Sequence, residues 1–252
     1  MPESQQVPSQ RRDPQTKADH NCDKLELEKY TVKQPFAVII NCDTEGFKKD
    51  VDNLKTALKT IGVKNVNIRQ DKDGLNTSLG TSEKLTAHDC FIIAIFGHDN
   101  GSGNKLKGII KPYSKIVDEF NRENCKALKE KPKLFIFQSC RGGQEDVNLA
   151  NDNAGDNSSI PVTADVIVAC STVSNVALED EKKGCIFIRV LSEVLSKYGN
   201  THDMNQILTK VNKDVSDEET EETKEGQINK QMSIFTSTLR KLLIFKDLKR
   251  NE

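Results

Sequence analysis

The sequence predicts an α/β fold: a mainly parallel sheet covered by helices on both faces. Short, almost wholly apolar runs alternate with stretches whose apolar residues recur at helical spacing. The runs lack the polar alternation of strands with one wet face, so both their faces are buried. A chain of 252 residues is long enough to give one such domain a full core.

Taken in order, Phe36-Ala37-Val38-Ile39-Ile40 is the first buried strand. Over 47–61, Val51, Leu54, Leu58 and Ile61 keep helical spacing, and Gly62 closes the helix. Val66 and Ile68 mark a short second strand. Cys90–Phe96 is the third and 133–137 the fourth, with a helix expected over 109–120 between them. Residues 142–160 carry Gly, Asn, Asp and Ser with little apolar content, the composition of a linker. Val166–Cys170 is the fifth strand. Amphipathic helices follow over 185–195 (Ile188, Leu191, Leu195) and 204–215 (Ile207, Leu208, Val211). The acidic run 217–222 reads as an exposed loop, and 242–245 as the sixth and last strand. Residues 1–33 are polar and poor in branched apolar side chains, so this segment is expected to be disordered.

Composition excludes several classes of function. Net charge is −1 with Lys and Arg scattered, which argues against a nucleic-acid partner. No apolar stretch is long enough to span a bilayer and no hydrophobic signal core opens the chain, so a cytoplasmic protein is expected. The seven cysteines form no Cys-x-x-Cys pair, and neither a metal nor a cofactor is expected. Cys42, Cys90 and Cys170 lie at edges of apolar runs and read as small core residues.

The chemistry centres on Cys140 and His98. Cys140 falls just past the fourth strand in Gln138-Ser139-Cys140-Arg141-Gly142, and His98 just past the third. Ligands of an open parallel sheet bind beyond the carboxyl ends of its strands, so two adjacent strands would deliver both side chains to one edge. A thiol held there beside a base is a candidate nucleophile.

The chain resembles the caspases. The carriers are Gln138 to Gly142, with Ser139 where the family usually has Ala, and the upstream His98. Further carriers, in the family's order, are the runs 131–136, 164–172, 193–195, 206–212 and 239–241. The resemblance spans 34–246 and implies a caspase-like three-layer sandwich with a six-stranded, mostly parallel sheet. It implies a short prodomain (1–33), a large segment (34–145), an intersubunit linker (146–160) and a small segment (161–252). Asp146, Asp152 and Asp156 are then candidate processing sites. Cys140 would be the nucleophile and His98 the acid-base group, with the backbone N–H groups of Cys140 and Asp99 forming the oxyanion hole. A peptide would be the substrate. The last strand would lie at a dimer interface, the partner being a second copy or another caspase.

Three departures from the family bear on activity. Asp99 stands where caspases have Gly and puts a carboxylate beside the place where negative charge must develop. At an effective dielectric of about 20, two unit charges 4 Å apart repel by about 4 kcal/mol before solvent reduces the figure. Caspases hold the substrate aspartate between two arginines and a glutamine. Gln138 matches the glutamine, but the first arginine's position falls near Thr44, and 41–47 contains no arginine. The second falls at Glu179, followed by Asp180, in a chain without Trp. Each charge-assisted hydrogen bond to a carboxylate is worth about 1.5–3 kcal/mol, so losing two and adding repulsion costs several kcal/mol and corresponds to at least about a thousandfold in cleavage after aspartate. Two functions stay open at this point. One is a caspase-homologous regulator of apoptosis with little or no Asp-directed proteolysis. The other is an active cysteine endopeptidase, with altered P1 preference or with the ordinary one.

Overall fold

The computed structural model describes residues 26–43, 46–70, 85–97, 113–138, 160–171, 183–219 and 230–245, with the backbone of 179–180. Its centre is a six-stranded sheet ordered β2-β1-β3-β4-β5-β8. The strands are β1 (Pro35–Asn41), β2 (Asn65–Gln70), β3 (Cys90–Phe96), β4 (Lys133–Gln138), β5 (Val166–Cys170) and β8 (Ile234–Ser237). The first five are parallel, and β8 is antiparallel to β5. The mostly parallel α/β expectation is met.

Helices α1 (Lys48–Thr60), α3 (Ile186–Tyr198) and α4 (Met204–Asp217) cover one face. Their apolar stripes meet the inward residues of the strands, including Leu54, Leu58, Leu191, Leu195, Ile207 and Val211. Helix α2 (Tyr113–Glu119) and a 3-10 turn (Lys126–Leu128) cover the other face. There the packing is aromatic: Tyr113 stacks on Phe137 at 4.0 Å and Phe91 meets Phe120 at 4.9 Å. Full burial of each such large side chain stabilises by about 1.5–3 kcal/mol, and strands buried on both faces collect this twice. Gly62 closes α1 as expected: it sits at φ +89° and its N–H donates to the Lys59 carbonyl at 3.1 Å. Cys90 and Cys170 are buried free thiols and Cys42 is half-buried against the aromatic face, as their sequence positions suggested.

Two expectations are corrected. The last strand is Ile234–Ser237, not 242–245; the latter run makes an isolated bridge from Leu242 to Lys29 and buries Leu243 and Phe245 under the helices. Its alternation reflects the packing of a coil, and the polar residues of β8 hid the true strand. The disordered segment does not extend to residue 33. Tyr30 and Val32 are buried, Tyr30 N–H donates to the Leu242 carbonyl, and Leu242 N–H donates to the Glu28 carbonyl. Residues 1–25 lie outside the described residues. The helix expected over 109–120 is described only as Tyr113–Glu119.

The amino ends of the strands are locked by buried charge. Asp165 enters β5 at φ +66° and accepts from Tyr30 Oη at 2.6 Å, from Arg240 Nε at 2.9 Å and from the same guanidinium's Nη2 at 2.6 Å. Burial opposes ionisation of Asp165, but the hydrogen bonds from Arg240 and Tyr30 outweigh it and hold its carboxyl below the usual carboxylate range. Lys133, 1 % exposed, donates to the carbonyls of Leu128 at 3.3 Å and Lys131 at 2.8 Å. Burial pushes its ammonium down to about 8, with Asp165 opposing the shift. No helix among the described residues is long and apolar enough to cross a membrane.

Candidate functional site

The strand register sets side by side the strand ends that precede the expected catalytic positions. Phe96 is paired with Asn41 on one side and with Gln138 on the other, and Phe137 with Cys170. The ladder continues one step past the strands: Cys42 N–H donates to the Phe96 carbonyl at 2.9 Å, Gly97 N–H to the Gln138 carbonyl at 3.1 Å, and Ser171 N–H to the Phe137 carbonyl at 3.0 Å. Neighbouring strands run about 4.8 Å apart. The chain therefore leaves toward His98 and toward Cys140 from adjacent positions on one sheet edge. His98, Asp99, Cys140, Thr44, Asp146, Asp152 and Asp156 themselves lie outside the described residues.

Gln138 is described. It is 1 % exposed, and its side-chain Oε1 has no hydrogen-bond partner among the described residues. A buried amide oxygen left unpaired at the mouth of a site is an acceptor waiting for a donor. On its flank, Asn41 Oδ1 accepts from Asp43 N–H at 3.1 Å, turning the chain toward position 44. On the other flank, the buried Gln231 side chain donates through Nε2 to the Ser171 carbonyl, fixing where the 171–178 loop departs. Nothing in the residues around Gln231 signalled this role.

Glu179 and Asp180 form a two-residue strand, β6, antiparallel to β7 (Gly184–Cys185), with Glu179 opposite Cys185 and Asp180 opposite Gly184. β7 runs straight into α3, and Cys185 is the residue that starts that helix. Its own side chain makes no capping bond. The cap comes instead from α1: Asp50, fully buried, accepts from the Cys185 N–H through Oδ1 at 2.9 Å. A carboxylate at a helix N-terminus stabilises by about 0.3–1 kcal/mol, and up to about 2 when partly buried. Asp50 was missed in the sequence, although a signal existed. It shares the helical stripe of Leu54, Leu58 and Ile61, and a carboxylate on an apolar stripe needs a buried partner.

Residues 34–244 match the family model Peptidase_C14, the caspase domain. The chain belongs to the caspase family. Among similar proteins, this caspase domain is 28 % identical to mouse caspase-6 over 226 residues, covering 81 % of this chain and 82 % of that protein. It is 28 % identical to human caspase-14 over 244 residues, covering 87 % and 96 %. Bovine caspase-3 is 32 % identical over 143 residues, with coverage of 54 % and 51 %. A crystal structure of caspase-1 from Spodoptera frugiperda superposes with a TM-score of 0.69 at 25 % identity, covering 96 % of this chain and 100 % of that one. The caspase fold expected from the motifs is thereby shown, and the β6–β7 pairing gives the acidic pair a defined place in it: directly before the helix that β7 opens.

Proposed function

We propose that this caspase domain regulates apoptotic proteolysis, itself cleaving poorly or not at all after aspartate, and acts by pairing with an active caspase. One observation carries the reading. Glu179 and Asp180 occupy a strand held in register with Gly184 and Cys185, and the family resemblance aligns Glu179 with an arginine of the acid-binding pocket. On this reading an anionic side chain meets negative charge where the family has a guanidinium, and 41–47 contains no compensating arginine. Asp99 beside the oxyanion position adds to the deficit. Cys140 and His98 keep the roles of nucleophile and acid-base group, and Gln138 lines the pocket. The linker 146–160 separates the large segment (34–145) from the small one (161–252), with Asp146, Asp152 and Asp156 as its cut positions. β8 ends the sheet order, so its outer side is the natural place for a partner's strand to pair. The buried cysteines Cys90, Cys125, Cys170 and Cys185 suit a reducing cytoplasm.

The test is a tetrapeptide panel varied only at P1, together with mixing against an active caspase of the same source. Under this reading no P1 residue gives efficient turnover, the active caspase's rate changes, and a Cys140→Ala version changes it equally. Efficient cleavage after aspartate sinks the reading, as does a Cys140→Ala version without effect.

A specific observation favours a second reading, an active peptidase that takes Lys or Arg at P1. Gln138 Oε1 has no partner among the described residues, and Glu179 and Asp180 stand in the sequence where the family has a cation. A cationic side chain carries only donors. Turnover of basic P1 substrates in the same panel decides for it.

A further inference from the structure

We propose that Asp50 is a positioning residue for the specificity pocket: its buried carboxylate fastens the 179–185 hairpin to α1 and so sets where Glu179 and Asp180 stand. This rests on the reading of those two acids as pocket residues.

Four features make the fastening. Asp50 is fully buried in the first turn of α1 and holds the Cys185 N–H at 2.9 Å. Cys185 is the direct partner of Glu179 across the hairpin, so the anchored residue and the first acid share one register position. Gly184 adopts φ +88°, and a Cβ there would lie 2.7 Å from Asp50 Oδ1. The hairpin therefore reaches the carboxylate only because residue 184 has no side chain. Finally, α1 follows directly on the 41–47 turn, the other wall of the pocket, and α3 follows directly on β7. One hydrogen bond thus couples both walls and joins the large segment to the small one.

Chemistry explains the choice of residue. The α3 N-terminus presents unpaired N–H groups and a partial positive charge, which favour an anion. Asn at position 50 keeps the acceptor oxygen without the charge, whereas Leu fills the space and removes the acceptor. The pair separates the hydrogen bond from simple occupancy of volume.

The experiment measures amide hydrogen exchange in the full chain, wild type against Asp50→Asn and Asp50→Leu. In Asp50→Leu, exchange at Gly184 and Cys185 rises at least about tenfold, while amides of β3 hold wild-type protection. Asp50→Asn stays within about threefold of wild type at Cys185. Gly184→Ala, which keeps Asp50 but holds the hairpin off it, reproduces the Asp50→Leu pattern and serves if that variant does not fold. The second readout is binding of P1-lysine and P1-aspartate tetrapeptides in a Cys140→Ala background. The ratio of the two affinities shifts about tenfold toward unity in Asp50→Leu and recovers in Asp50→Asn. Unchanged exchange at Cys185 overturns the proposal, as does loss of protection spread evenly through β3. A parent protein that binds both peptides alike, with Cys185 still responding to Asp50, overturns the pocket reading and supports the fastening.

Discussion

The two ends of the central sheet are built from the same apolar strands and finished in opposite ways. At the amino ends, Asp165 accepts from Tyr30 and twice from Arg240, and nearby Lys133 donates to two carbonyls. At the carboxyl ends, Gln138 keeps a buried oxygen without a partner, and the loops depart from a few isolated anchors: Asn41, Ser171 and Asp50. The amino end is satisfied and serves stability. Among the described residues the carboxyl end keeps an acceptor without a partner, as a site that takes another molecule would.

Breaking the amino end produces the largest expected change. Arg240→Met removes the bidentate partner of Asp165 and lowers unfolding free energy by about 2–3 kcal/mol in urea denaturation. The figure is below that for a fully buried pair because Arg240 is 35 % exposed at its side chain and solvent screens the interaction. Peptide binding at the opposite edge stays at the wild-type level; a parallel loss there would show that the two ends are not independent.

Recharging the carboxyl end comes next. Glu179→Arg restores a cation opposite Cys185 and strengthens binding of a P1-aspartate peptide by about 1.5–3 kcal/mol, roughly ten- to a hundredfold, in a fluorescence titration. Thermal stability stays within about 0.5 kcal/mol of wild type, as the proposed pocket role of this position requires. An unimproved affinity would mean that the acids do not face the peptide.

The pH dependence sharpens the contrast at the amino end. Lys133 titrates near 8 in the folded chain and near 10.5 when unfolded, so the unfolded chain binds more protons between those values. Stability therefore carries a full penalty from Lys133 below about pH 8 and regains it as pH rises toward 10.5. Lys133→Met is expected to be more stable than wild type by about 1 kcal/mol at pH 7, since two carbonyls lose their donor and offset part of the gain. That advantage disappears by about pH 10 in denaturation curves. Asp165 acts in the opposite sense: its depressed carboxyl stabilises above the unfolded carboxyl range and loses that contribution in acid.

The smallest effect lies away from both ends. Asp203 caps α4 in a reciprocal box with Gln206 and also accepts from Leu243 N–H at 2.8 Å. Asp203→Ala lowers the melting free energy by about 1 kcal/mol by calorimetry, with no change in either peptide readout.

Much of this caspase domain was legible in its residues. The parallel strands could be read because sequences buried on both faces are continuously apolar, as in Cys90–Phe96. The helices on the sheet could be read because their stripes repeat at 3.6 residues. The placement of Cys140 and His98 beyond two such strands, and the acidic replacement at Glu179, also needed no coordinates. β8 was not legible, since a short edge strand with polar residues has no distinctive period. Nor were the ordered residues 26–33, whose burial depends on meeting Leu242 from the far end of the chain.

Local pattern by itself thus determined the class of fold, and short motifs carried the resemblance to the family and the candidate site residues, because periodicity and residue type are properties of short stretches. Tertiary structure alone decided which polar groups would meet: Asp50 with Cys185, Asp165 with Arg240 and Tyr30, Gln231 with Ser171. These partners are far apart in the chain. A buried polar group takes whatever complementary atom folding brings within reach, and no local rule of sequence names that atom.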